Sequence, residues 1–194
     1  MHWLNLASRL PCTEAEGPGR RAALWLQGCN KRCRGCCNSA YLQLVERELV
    51  SATSVLDWLA NAHHAHDLEG VTFLGGEPML QAQGLAVVAQ GARILGLSVM
   101  VFSGYTKGEL EVLQLPGSVQ LLQHTDVLVD GPYDAKLPEH SRRWAGSTNQ
   151  QFHYLSARYD ARIESDGEVE RVLEVRLRTD GSAFLNGWPE KVLR

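Results

Sequence analysis

The chain has 194 residues, 44% hydrophobic and 21% charged, a globular balance with enough length for one domain around a buried core. Nineteen Lys and Arg against 22 Asp and Glu give a formal charge of −3, without the basic footprint of a nucleic-acid binder or a polybasic membrane patch. The apolar runs are too short to span a bilayer and no basic-then-apolar signal segment opens the chain, so a cytoplasmic protein is expected.

Trp3 to Leu6 reads as a short edge strand, and Thr13 to Arg20 as a loop broken by Gly17, Pro18 and Gly19. Ala22 to Gly28 reads as a buried strand that stops where a cysteine-rich loop begins. Val55, Leu56 and Leu59 at helical spacing predict a helix from about Thr53 to His64, with Thr53 as N-cap. Val71 to Leu74 is a second buried strand, stopped by Gly75-Gly76. A helix over Ala82 to Leu95, a strand over Leu97 to Phe102, a short helix near Gly108 to Leu113 and a strand over Asp126 to Val129 follow. Strands alternating with helices at this pitch predict βαβ units and a parallel sheet. Beyond about Leu155 the texture changes. Val172 to Arg178 alternates apolar and charged residues, turns at Thr179 to Ser182 and returns through Ala183 to Leu185, a β-hairpin pattern, and Asp166-Gly167 marks a similar turn. The expected organisation is a main unit over residues 1–155 and a hairpin extension over 156–194 packed on the same domain.

Four of the five cysteines lie between Cys29 and Cys37, a clustering that points to metal and not to a disulfide framework. Cys29, Cys33 and Cys36 form C-x3-C-x2-C, one thiol short of a closed four-thiolate site. Three cysteines on a four-iron cluster leave one iron open for a substrate or cofactor. Cys12 stands apart as a small buried or partly exposed thiol. Cys37, adjacent to Cys36, is badly placed as a fourth ligand and is assigned either to packing or to a supporting contact around the ligands. His63, His64 and His66 are read as a solvated helix end, and Trp25, Trp58 and Trp144 as core or rim packing.

Each strand of the alternating set runs into a polar or glycine-rich loop: Cys29 to Cys36, Gly75 to Pro78, Ser103 to Thr106 and Asp130 to Tyr133. Ligands gather at the carboxyl ends of parallel strands, so these motifs are expected on one rim.

Gly17-Pro18-Gly19-Arg20, Leu26-Gln27-Gly28-Cys29, the C-x3-C-x2-C loop and Gly75-Gly76-Glu77-Pro78 together resemble the radical S-adenosylmethionine (SAM) superfamily, and within it the activases of glycyl-radical enzymes. Cys33 to Asn38, Ser103 to Thr106, Asp126 to Tyr133 and Gly146 to Gln150 add similarity to the activating component of anaerobic ribonucleotide reductase. The resemblance spans about Glu16 to Gln150. It implies an incomplete α/β barrel of five or six βα units, with a C-terminal β-hairpin. It implies a [4Fe-4S] cluster on Cys29, Cys33 and Cys36, whose open iron takes the amino and carboxylate groups of SAM. One electron from a flavodoxin or ferredoxin-type donor then yields a 5′-deoxyadenosyl radical, which takes hydrogen from a glycine Cα of a large partner. Gly75, Gly76 and Glu77 would meet the SAM amino group through close carbonyls and a carboxylate. Ser103 would face the ribose and adenosine, or be an ordinary turn serine, and Asp130 would lie beside SAM. A basic residue is usual in the family where this chain has Ala145.

Two other readings are compatible with the residues. The same radical chemistry could act directly on a peptide or heterocycle, as in 7-carboxy-7-deazaguanine synthase, with residues 156–194 shaping the pocket. Alternatively the cysteines could hold zinc in an interaction module, which requires a fourth ligand.

Overall fold

Alternation along the buried strands determines the architecture. In β2 (Arg21–Leu26), Ala22, Leu24 and Leu26 join one apolar cluster, while Ala23 and Trp25 join another on the opposite face. The computed structural model describes residues 2–165, 172–177 and 179–187. With β1 (Trp3–Thr13), β3 (Glu48–Ser51), β4 (Gly70–Gly75), β5 (Ser98–Phe102), β6 (Val127–Asp130) and β7 (Gln151–Tyr154), β2 forms a seven-stranded sheet ordered β3-β1-β2-β4-β5-β6-β7. The pairs β2–β4, β4–β5 and β5–β6 are parallel. β1, β3 and β7 pair antiparallel.

Helices α1 (Ala52–His66), α2 (Ala82–Ile94), α3 (Lys107–Leu113) and α4 (Ser118–Gln123) connect the parallel strands. Val55 and Leu59 of α1, Leu85 and Val88 of α2, Leu110 of α3 and Leu121 of α4 pack with Val71, Phe73, Val99, Val101 and Leu128 in one core. All four helices thus cover the same face of the sheet. Alternate residues Trp25, Leu74, Phe102, Met100 and Val129 belong to clusters on the other face, against which pack Trp144, Tyr159 and Ile163 from the segments flanking β7 and, through Phe184, a second, two-stranded sheet, β8 (Leu173–Leu177) with β9 (Ala183–Gly187). The hairpin expected at Thr179 to Ser182 is therefore present, while the Asp166-Gly167 turn lies outside the described residues.

Several expectations change. The strand at Trp3 runs on to Thr13 and is interior, because β3 takes the edge. Its ladder with β2 slips between Leu6 and Ser8 and again between Leu10 and Thr13, so bulges absorb Pro11, which has no N–H for pairing. The five or six βα units reduce to four parallel strands and three crossovers, and the sheet is open: among the described residues β3 and β7 each pair on one side only. The N-cap of α1 is Ser51, not Thr53: its Oγ accepts from Ser54 N at 3.0 Å. No helix among the described residues is long and apolar enough to cross a membrane.

Candidate functional site

The cysteine loop leaves β2 at Gly28, whose φ of +98° is open to glycine at little cost. Between Leu26 and β3 the only helical turn is Ser39–Tyr41, so the loop is fixed from outside. Gln27 N donates to Asn5 O and Gly28 N to Tyr41 O, both at 2.8 Å, and Cys29 N donates to Leu42 O at 3.1 Å. Gln27 Nε2 donates to Gln43 O at 2.7 Å. Further along, Asn30 Nδ2 donates to the Tyr105 hydroxyl, and Lys31 Nζ sits 3.9 Å from the Tyr105 ring centroid while pairing with Glu109. Glu109 closes a capping box with Thr106 at the start of α3. Cys29 is buried, Cys33 and Cys36 are half-buried, and Cys37 is exposed.

Cys29, Cys33 and Cys36 line one cavity of about 660 Å³, together with Gly75, Gly76, Glu77, Ser103 and Gly131. The motifs at the carboxyl ends of β2, β4, β5 and β6 therefore share one space, as strand order requires. Trp25, Leu74 and Phe102 form its apolar floor on the face opposite α1 to α4. Val172 and Phe184 to Gly187 close a side of it.

The electrostatics around the sulfurs differ. Burial raises the Cys33 thiol above its ordinary value, and the Tyr133 backbone amide pulls it partly back. Cys36 is pushed down to about 6 by a hydrogen bond from the Cys37 thiol, opposed by burial and helped by the Asn38 amide. The same bond raises Cys37. Cys37 itself also lines the cavity. Cys12 lies away from the cavity lining, with burial raising its thiol. Among the described residues, no group of three or more His, Cys, Asp or Glu side chains is arranged to hold a single metal ion.

Gly75 and Gly76 are needed for close backbone approach. A Cβ on Gly76 would lie 2.2 Å from Gly28 O, and one on Gly75 2.5 Å from Leu26 N. That contact is cemented by Gly76 N to Leu26 O and Glu77 N to Gly28 O, each 2.8 Å. The Glu77 carboxylate is 1% exposed and accepts from Met79 N at 2.9 Å, Ser103 Oγ at 2.9 Å and Gly104 N at 2.7 Å. Burial raises it, and these donors work against the rise. Its side chain ties the β4 loop to the β5 loop. Ser103 spends its hydroxyl on Glu77 and accepts from Tyr105 N.

Asp130 is not among the residues lining the cavity. Its carboxylate accepts from Lys107 N and lies 2.9 Å from His153 Nε2. The following Gly131 does line the cavity, and Gln150 Nε2 donates to its carbonyl at 3.2 Å. Gln150 Oε1 also accepts from Gly146 N at 2.7 Å, closing the loop that presents Ala145. Ala145 is buried against the cavity, next to Trp144 in left-handed conformation. Trp144 is thus a rim residue, Trp25 a floor residue, and Trp58 packs against the helical core. His63, His64 and His66 form the last turn of α1.

Sequence reasoning passed over Lys31, Tyr105 and Tyr133. Lys31 sits inside the C-x3-C-x2-C loop, and Tyr105 is an aromatic residue in a strand-end loop. Both could have been singled out.

The family described as a 4Fe-4S single cluster domain matches residues 15–153. An anaerobic ribonucleoside-triphosphate reductase-activating protein of Pasteurella multocida is 30% identical over 159 residues, covering 76% of this chain and 95% of the relative. Proteins of that description from Enterobacteria phage T4 and Escherichia coli K12 are both 27% identical, over 153 and 158 residues. They cover 76% and 78% of this chain and 92% and 99% of the relatives. The chain belongs to the 4Fe-4S single cluster family, alongside these reductase-activating proteins.

Proposed function

We propose that this member of the 4Fe-4S single cluster family is a radical SAM enzyme with a partial-barrel fold, which installs a glycyl radical on an anaerobic ribonucleotide reductase. The observation that carries the reading is the shared cavity. The three proposed ligand thiols with Cys37 beside them, a glycine pair pressed against their loop, and the ends of four parallel strands meet there, in a chain whose relatives are named for activating that reductase.

The donor set fits a cluster. Thiolates on separate irons need not converge as ligands of one ion do, and three cysteines leave an iron for SAM. When bound, the [4Fe-4S] cluster supplies the electron that cleaves SAM to methionine and a 5′-deoxyadenosyl radical, the species that takes hydrogen from a partner glycine.

The chain's own residues bind, orient and shield. Cys29, Cys33 and Cys36 are the proposed ligands, with the Tyr133 and Asn38 amides donating toward Cys33 and Cys36. The backbone of Gly75 and Gly76 is the proposed seat of the SAM amino group. Glu77 serves chiefly to hold that backbone, because its oxygens already accept three donors. Ser103 acts through Glu77, and Asp130 through the loop that begins at Gly131. Trp25, Leu74 and Phe102 keep the floor apolar and exclude water from the radical.

The test is anaerobic reconstitution with iron and sulfide, then reduction with SAM present, and assay for 5′-deoxyadenosine. With the reductase added, glycyl radical is read by electron paramagnetic resonance. About four irons per chain, 5′-deoxyadenosine and a partner radical are expected. Full turnover after Cys29→Ala, or intact SAM beside a complete reduced cluster and partner, would refute the reading.

A further inference from the structure

The family match ends at residue 153, yet the chain continues into a hairpin that contributes Val172 and Phe184 to Gly187 to the same cavity as the three cysteines. This hairpin is fastened to the sheet. The Glu174 carboxylate accepts from Thr13 Oγ1 and Glu14 N, both at 2.8 Å. Arg176 Nη2 donates to Cys12 O at 2.7 Å, and Asn186 Nδ2 to Thr13 Oγ1 at 2.9 Å. Gly187 N donates to Glu16 Oε1 at 2.7 Å. These bonds seat both strands on the end of β1 and the loop after it. Phe184 then meets Trp25 of the cavity floor edge-on, with centroids 6.0 Å apart at 76°, a preferred aromatic geometry.

We propose that the β8–β9 hairpin is a specificity wall of the site, with Phe184 as the residue that sets how bulky a partner segment can reach the cysteine loop. The proposal rests on the radical SAM reading above and adds to it a selection of the segment by size. The argument is one of space. A cavity of about 660 Å³ has the volume of a single small-molecule site. A nucleoside cofactor would fill much of it, so what remains suits a slender stretch of polypeptide. An aromatic side chain anchored on the floor from an immobilised hairpin narrows that remainder directly. Phe184 does so without a charge or hydroxyl that would take part in the chemistry. Its selection therefore acts on shape.

The experiment uses the reconstituted full chain with SAM. Its probes are fluorescein-labelled octapeptides with a central glycine preceded by alanine, leucine or tryptophan, and affinity is read by anisotropy. The unaltered chain is expected to bind the alanine peptide at least about tenfold more tightly than the tryptophan peptide. Phe184→Leu, which keeps an apolar side chain on Trp25, should retain that ratio, and Phe184→Ala should reduce it below about threefold. Equal discrimination in Phe184→Ala, no discrimination in the unaltered chain, or no peptide bound by it would each overturn the proposal. Formation of 5′-deoxyadenosine by the unaltered chain tests the underlying reading separately: its absence removes the radical chemistry, while the affinity ratios still decide the wall.

Discussion

Gly76→Ala probes the contact on which the site depends. The added methyl would lie 2.2 Å from Gly28 O and 2.7 Å from Gly28 C, where contacts under 3.0 Å are essentially never seen. One backbone segment must retreat by about 0.8 Å, the difference between 3.0 and 2.2 Å. Neither can yield as a side chain does, because both are main chain. The retreat strains the 2.8 Å bonds from Gly76 N to Leu26 O and from Glu77 N to Gly28 O. With each bond worth about 1 kcal/mol and overpacking about 1–3 kcal/mol, a loss of about 3 kcal/mol follows. For a chain of this size that corresponds to roughly 6–12 °C in Tm, read on the metal-free protein by circular dichroism. Because Gly28 immediately precedes Cys29, iron uptake on reconstitution should fall as well. Gly108→Ala is the control: nothing lies within 4 Å of its added methyl and it sits in α3, so its Tm should hold or rise slightly. A Gly76→Ala protein that melts within about 2 °C of the parent and takes up iron normally would refute the reasoning.

Arg21→Met removes a fully buried guanidinium that donates to Thr72 Oγ1, Pro18 O, Ser98 Oγ and Val71 O; stranding those acceptors should cost on the order of 3 kcal/mol or more, seen as a lowered urea midpoint. Thr106→Ala opens the capping box of α3 and should cost about 1 kcal/mol, or roughly 2–4 °C in Tm. Burial raises the Glu139 carboxyl, but donors from Ser141 and Arg142 outweigh it and hold it at about 2, against an ordinary 4.5. A depressed acid stabilises the fold above its unfolded value and loses that contribution as pH falls through the folded one. The stability gap between the parent and Glu139→Gln should therefore be full above pH 4.5 and close toward pH 2 in denaturation measured across that window. Cys37→Ala should leave iron binding in place while Cys36→Ala abolishes it, measured as iron per chain after reconstitution.

The parallel strands and their loops were legible because each carries its own signal: an apolar run stopped by glycine or a polar cluster. The elements that escaped have no local signal. β3 holds two exposed residues, Glu48 and Leu49, and exists because β1 offers an edge to pair with. α4 begins directly after Gly117 in left-handed conformation, which reads as the end of a helix and not as a start. β7 owes its four residues to the ladder with β6. In the site, the spacing of Cys29, Cys33 and Cys36 announced itself. The partners of Glu77 did not, since Ser103 and Gly104 lie 26 and 27 positions away. A motif reading assigns a carboxylate in a glycine loop to a ligand, whereas only the fold shows which internal donors claim it first. Asp130 illustrates the same limit: ending a strand put it on the rim, but His153 and Lys107 draw its side chain out of the cavity lining.

The cysteine loop has little regular structure, and its precision comes from sideways bonds to the ends of neighbouring strands. The β4 loop holds Gly28, and through Glu77 it is itself tied to Ser103 and Gly104. The β5 loop holds Asn30 and Lys31 through Tyr105, and Glu109 holds Lys31 from α3. The β6 loop reaches Cys33 through the Tyr133 amide. Each bond on its own is worth about 1 kcal/mol, too little to fix a flexible loop. Their anchors, however, sit on strands buried between two apolar clusters, so the loop inherits the rigidity of the sheet. It follows that the residues governing the position of the sulfurs are spread over three neighbouring strand ends and one helix cap. The cysteines mark the site, and the order of the parallel strands makes it a site.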